Sequence, residues 1–209
     1  MYTVVWILAG LLLGCLPFAY WTGRLFLRKD IRRYGDGNPG ATSVFNAGGL
    51  IPYIPAVLLE SLKATPPVWL AQEISHVTGW ELSLVAIAPL VGNAFTPFLR
   101  FRGGTGVAVV YGVWLALLGW LGPVAIAVSI GLVFIIIRET PWCVIIGMLL
   151  FLAFLLYGQY PLYMVGAWAG HTAILGYKRR QHFTHWPKMQ QWVTRLSRKN
   201  NEGPPFHTR

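Results

Sequence analysis

The run GGTGVAVVYGVWLALLGWLGPVAIAVSIGLVFIII, residues 103–137, contains no Asp, Glu, Lys or Arg, and neither does the next long run, residues 140–177. A membrane-spanning helix needs about 20 largely apolar residues. Each run is therefore too long for one helix and too apolar for the surface of a soluble domain. Both carry turn chemistry near the middle, Gly119-Trp-Leu-Gly-Pro123 and Gly158-Gln-Tyr-Pro161, where glycine and proline punctuate a helix. The pattern predicts four short spans, at residues 106–119, 123–137, 141–157 and 162–177. Working upstream, residues 2–21 and 82–99 form two more charge-free spans. Residues 48–71 are apolar but hold four prolines with Glu60 and Lys63, and are predicted to be an irregular span.

Composition agrees. Of 209 residues, 55% are apolar and only 11% charged, against about 25% charged in a typical soluble domain. That excludes a soluble fold and disorder, and two cysteines, Cys15 and Cys143, exclude a disulfide scaffold. The net charge of +10 has to be placed before it can be read. With seven spans, sixteen of the seventeen basic residues fall on one side, and Lys63 lies within a span; the other side carries Glu73 and Glu81. By the positive-inside rule the basic side is cytoplasmic. The expected fold class is therefore all-α, a polytopic membrane protein with seven transmembrane helices, N-terminus outside and C-terminus cytoplasmic. Residues 1–177 form the integral membrane domain, and residues 178–209 a basic cytoplasmic tail with Trp186 and Trp192 as interfacial anchors. The basic residues flank spans rather than line a separate domain, so nucleic acid is not expected as a partner. The first span lacks a basic leading segment and is expected to be kept rather than cleaved.

Two glycine-rich loops fall on the basic side. One is Arg32-Arg-Tyr-Gly-Asp-Gly-Asn-Pro-Gly-Ala-Thr-Ser43, the other Arg100-Phe-Arg-Gly-Gly-Thr-Gly106. Glycines let backbone N–H groups converge on an anion, and a helix start or a nearby arginine adds positive charge. The same glycines also suit tight turns between closely packed helices, so two readings stand. Gly35-Asp-Gly-Asn-Pro-Gly40 matches the dinucleotide pattern G-x-G-x-x-G, but that pattern has meaning only after a strand, and here it follows a membrane span. Glu60 and Lys63, three apart, share a helix face and read as an ion pair inside the bundle. His171 reads as a hydrogen bond to a neighbouring helix, with proton transfer as the other reading. His76, His182, His185 and His207 show no ligand spacing, and neither metal nor cofactor is expected.

The order Gly14-Cys-Leu-Pro-Phe18, Gly23-Arg24, Asp30-Ile-Arg32 and Gly35-Asp-Gly-Asn-Pro-Gly-Ala-Thr-Ser-Val44 resembles the PlsY family. Leu59-Glu-Ser-Leu-Lys63, Gly92-Asn-Ala-Phe-Thr-Pro-Phe98 and Phe101-Arg-Gly-Gly-Thr-Gly-Val-Ala108 extend the match over about residues 4–110. The resemblance implies a bacterial inner-membrane acyltransferase of phospholipid biosynthesis. It would move an acyl chain from acyl phosphate to glycerol 3-phosphate, or a related acceptor, to give lysophosphatidic acid among membrane lipids. Substrate phosphates would then meet Gly35, Gly37, Asn38, Gly40 and Thr42 in the first loop, and Arg102, Gly103, Gly104, Thr105 and Gly106 in the second.

Several positions depart from the family pattern. Asp36 replaces a serine, Asn46 an arginine, Asn93 a histidine and Thr105 a lysine, while the family's His-Arg-x-Asn aligns with Lys178-Arg-Arg-Gln181. Each charge-assisted bond to phosphate is worth about 1.5–3 kcal/mol, so two lost cations weaken a phosphate site by roughly 10²-fold or more. Asp36 becomes a candidate general base or ligand of the acceptor hydroxyl. The alternative function is a catalytically degenerate homologue that binds phospholipid or acyl phosphate, or supports a membrane complex. Intramembrane charge is too sparse for a permeation path.

Overall fold

The computed structural model describes residues 2–190 and 192, and their regular structure is helical apart from one isolated bridge between Ile137 and Met189. The helices are α1 (Tyr2–Cys15), α2 (Phe18–Leu27), α3 (Ala41–Gly48), α4 (Leu50–Leu62), α5 (Thr65–Glu73), α6 (Gly79–Ala94), α7 (Val107–Leu118), α8 (Leu121–Ile136), α9 (Thr140–Tyr157) and α10 (Leu162–Arg179). Tyr2–Leu27, Gly79–Leu99 and Thr140–Tyr157 are long and apolar enough to cross a membrane, and α7 and α8 are shorter apolar helices. Helices α7 to α10 fall where the glycine and proline breaks placed them. The proline-rich stretch is indeed irregular, two short helices, α4 and α5, meeting at Lys63 and Ala64.

The first span differs from its expectation. It is not continuous over residues 2–21 but breaks at Leu16-Pro17, between α1 and α2. A proline inside a helix removes one N–H and clashes with the preceding turn, and at membrane depth the freed backbone groups need partners within the protein. They find them in α4. Glu60 Oε1 accepts the Ala19 N–H at 2.8 Å, and Lys63 Nζ donates to the Leu16 carbonyl at 2.6 Å. Glu60 and Lys63 also pair with each other at 2.6 Å, and both are buried. The expected ion pair thus fills the gap that Pro17 opens.

Close approach of α1 to α6 fixes the rest of this half. A Cβ on Gly14 would lie 2.2 Å from the Pro89 carbonyl oxygen, and one on Gly92 would lie 2.2 Å from that of Leu11. Small residues let membrane helices touch backbone to backbone in this way. The other half packs around Trp114, which meets Phe151 edge-on at 4.7 Å. His171 is fully buried beside it, its Nε2 3.1 Å from the Ala86 carbonyl of α6, so it joins two helices.

Removing one partner of a buried ion pair costs about 3–5 kcal/mol because the other charge is stranded. Lys63→Met is expected to cost this much, read as thermal unfolding of the detergent-solubilised protein. The double variant Glu60→Leu/Lys63→Met is expected to recover only part of the loss, because the Ala19 N–H remains without a partner and the Leu16 carbonyl keeps only the Phe18 N–H. Full recovery would show that the pair does not hold the break.

Candidate active site

The two glycine loops meet at one end of the bundle. Thr105 N–H donates to Asn38 Oδ1 at 2.9 Å, and Asn38 Nδ2 donates back to Thr105 Oγ1 at 3.2 Å. The first loop braces itself for this contact: Asn38 N–H donates to Asp36 Oδ1 at 3.1 Å, and Ser43 Oγ donates to the Asn38 carbonyl at 2.5 Å. The second loop rests on α6, where Asn93 Nδ2 donates to the Gly104 carbonyl at 3.3 Å. Asn93 Oδ1 in turn accepts Lys63 Nζ at 2.9 Å, so the loop is tied to the ion pair that fills the first-span break. Gly106 ends the loop at a φ of +85°, and a Cβ there would strike Leu90 Cδ1 at 2.2 Å. Only glycine fits both constraints.

The end of α10 completes the site. Arg179 donates through a terminal guanidinium nitrogen to Thr105 Oγ1 at 3.4 Å. Lys178 Nζ donates to the Ala94 carbonyl at 3.0 Å and lies 5.8 Å from the Phe95 ring centre.

Three cavities open around this junction. A polar cleft of about 330 Å³ is lined by Asp36, Gly37, Arg102, Gly103 and the end of α10. An apolar crevice of about 530 Å³ follows α7 from Gly106 past Tyr111 and Leu115 to Trp120, with α4 and α8 as walls. A wider polar chamber of about 900 Å³ lies toward Arg138 and Lys188. Asn38 and Arg179 line all three, and Thr105 lines the cleft and the crevice.

The candidate residues therefore separate by cavity. Asp36, Gly37, Asn38, Arg102, Gly103 and Thr105 line the cleft. Gly40, Thr42, Gly104 and Gly106 line the crevice instead. Gly35 lines none of the three and serves as a turn with φ +72° beside Asn46. Of the cations outside the loops, Lys178, Arg179 and Arg180 reach the cleft, whereas Arg32, at the start of the first loop, is held by Asp30 at 2.7 Å and stacks on Tyr20. Hydrogen bonds from Arg32 keep the Asp30 carboxyl down at about 2. This elbow is therefore stabilised above the ordinary carboxylate range and loosened as pH falls through about 2.

Arg179 was not among the sequence candidates. Its signal was present, because Met164, Ala167, His171 and Leu175 form the buried stripe of α10 and the same period lands on Arg179. The tail expectation is only partly visible: Trp186 is exposed and Trp192 hydrogen-bonds to Ile135, whereas residues 193–209, His207 among them, lie outside the described residues.

A family model described as glycerol-3-phosphate acyltransferase matches residues 4–187. The chain belongs to this family. Among its relatives, the glycerol-3-phosphate acyltransferase of Ralstonia nicotianae is 41% identical over 128 residues, 60% of this chain and 62% of that one. The enzyme of that name from Anaeromyxobacter dehalogenans is 39% identical over 135 residues, 61% of this chain and 67% of that one. The chain thus aligns with about three-fifths to two-thirds of the length of these relatives. Among solved structures, the glycerol 3-phosphate form of PlsY, an integral membrane glycerol 3-phosphate acyltransferase, has a TM-score of 0.79 at 24% identity, covering 94% of this chain and 99% of that one. Its lysophosphatidic acid form gives 0.76 at 23% identity, covering 95% and 93%. These two share the fold with the chain of this family described above.

Asn38→Leu removes both bonds between the loops and is expected to destabilise their contact by about 1–3 kcal/mol. Amide hydrogen exchange would quicken at residues 103–106 and stay unchanged within α9. Equal quickening in both regions would show that Asn38 supports the whole bundle rather than the junction.

Proposed function

We propose that this family member is a membrane acyltransferase that moves an acyl chain from acyl phosphate to glycerol 3-phosphate, giving lysophosphatidic acid. The observation that carries this reading is the meeting of the polar cleft and the apolar crevice at Asn38, Thr105 and Arg179. The crevice follows α7, whose twelve residues rise about 18 Å, a length suited to an extended acyl chain. The cleft is small and polar, with Arg102, Lys178, Arg179 and Arg180 among its lining, and suits a short phosphorylated polyol. An acyl carbonyl at the mouth of the crevice would then face an acceptor hydroxyl in the cleft.

In the proposed reaction the acceptor hydroxyl oxygen bonds to the acyl carbonyl carbon, and the bond from that carbon to the phosphate oxygen breaks. Phosphate leaves with the electron pair. Arg179 holds the negative charge that gathers on the carbonyl oxygen. Asp36 is the one carboxylate among the described residues of the cleft. One of its oxygens accepts the Asn38 N–H, which leaves the other to take the hydroxyl proton and pass it to the departing phosphate. Thr105, where the family pattern has lysine, bridges Asn38 and Arg179, so the positive charge at this point comes from α10, while Arg102 lines the cleft from the loop.

The proposal extends to topology. Seven crossings would put the cavity-bearing end, with Arg102, Arg138 and the end of α10, on the cytoplasmic side of a bacterial inner membrane. Water-soluble glycerol 3-phosphate reaches the cleft from that side.

Purified protein given acyl phosphate and glycerol 3-phosphate is expected to form lysophosphatidic acid. Removing one donor to a developing oxyanion costs about 10²–10³ in kcat, and Arg179→Gln is expected to fall in that range. Thr105→Val is expected to lose about tenfold, the scale of a single hydrogen bond. Asp36→Asn with unchanged turnover would remove the base. Saturable lipid binding without transfer to any acceptor would establish the degenerate homologue instead.

A further inference from the structure

The wider chamber is not needed by the acceptor, and one of its lining residues, Lys188, lies in a segment that the family match does not reach. That match ends at residue 187. Beyond it, Lys188, Met189, Gln190 and Trp192 lie against the end of α8 as a strap. Lys188 O accepts the Arg138 N–H at 2.9 Å, and Gln190 N–H donates to the Ile136 carbonyl at 2.9 Å. Gln190 Nε2 then reaches the Phe134 carbonyl at 3.1 Å and Trp192 Nε1 the Ile135 carbonyl at 2.9 Å. The last carbonyls of a helix have no partner within it. Here the strap supplies three in succession, so its position is fixed by the geometry of α8.

Docked in this way, the strap makes Lys188 part of the chamber lining, together with Asn46 and Arg138. Two independent features mark the chamber as an anion site. The first is the start of α9, an 18-residue helix without a side-chain cap, with Thr140 on the chamber wall and Pro141, which offers no amide, next to it. The second is Arg179, 7% exposed, whose Nε has no hydrogen-bond partner among the described residues. The lining also holds Asp36 and Glu139, which leaves Arg138, Arg179 and Lys188 one positive charge ahead. Asn38, Thr42, Thr140 and Arg179 line both this chamber and the apolar crevice. An amphiphile with its chain in the crevice therefore has a polar exit into the chamber, separate from the cleft.

We propose that the strap completes a second phosphoryl-binding chamber, in which Lys188 and Arg138 hold the phosphate of the acyl donor and then the inorganic phosphate it releases. The inference rests on the acyl-transfer reading and deepens it by assigning the two phosphates to different cavities. The cleft takes the phosphate of the acceptor, and the chamber takes that of the donor. Lys188 supplies a cation on the wall where Asn46 provides none.

The test compares steady-state kinetics of full-length wild type, Lys188→Gln and Trp192→Phe. Inorganic phosphate serves as product inhibitor, and acyl phosphate and glycerol 3-phosphate are varied separately. Losing one charge-assisted bond is expected to raise both the KM for acyl phosphate and the inhibition constant for phosphate about tenfold in Lys188→Gln. The KM for glycerol 3-phosphate should stay within about twofold on the same reasoning. Trp192→Phe keeps every charge and unpins the strap, and is expected to shift the same two constants in the same direction. A rise in the glycerol 3-phosphate KM instead, or no change in either donor constant, overturns the assignment. If wild type transfers no acyl chain, the acyl-transfer reading fails and the chamber is still tested by inorganic phosphate alone. Thermal stabilisation by phosphate in wild type that is weakened in Lys188→Gln supports the chamber, and equal or absent stabilisation in both refutes it.

Discussion

The buried pair of Glu60 and Lys63 is the interaction on which both the fold and the site depend. Pro17 breaks the first span, and the pair at the end of α4 binds the backbone on either side of the break. An isolated buried ion pair is weak evidence for stability, because desolvation can exceed the attraction. This one is different in kind, because each charge also binds the backbone at the break, and the Ala19 N–H would otherwise stand alone. Lys63 uses a further donor on Asn93, and Asn93 holds the Gly104 carbonyl. One ammonium group thereby links the kink in the first span to the loop where the cavities meet.

The same arrangement explains how the second glycine loop can be positioned with threonine rather than a cation at position 105. The loop is held from below by Asn93 and from the side by Asn38, so its shape does not depend on a bound phosphate. Thr105 needs only to receive Asn38 and Arg179. Charge is delivered by α10, whose buried stripe ends in Arg179, and the low charge content of the chain is spent at this end of the bundle.

Much of this was legible in the sequence. The breaks around Pro123 and Pro161 placed α7 to α10, because glycine and proline there coincide with runs too long for one helix. Pro17 did not reveal its break, for a physical reason: Pro55 and Pro89 sit inside α4 and α6 without ending them. Proline alone does not separate a kink from a break, and the deciding residues, Glu60 and Lys63, lie more than forty positions away. The loops were legible as a pair, but their division among three cavities depends on the path of the backbone, which separates Gly103 from Gly104. Arg179 could have been found by continuing the helical period from His171. The strap could not, since half of its hydrogen bonds use backbone groups of Lys188 and Gln190 that no residue pattern announces.

The most direct test is a structure of the protein with glycerol 3-phosphate and a non-hydrolysable acyl phosphate analogue bound together. The acyl chain should lie along α7 in the crevice, with its carbonyl at the junction of Asn38, Thr105 and Arg179 and the acceptor hydroxyl facing it from the cleft. An analogue bound with its chain outside the crevice, or with its carbonyl away from that junction, would contradict the account.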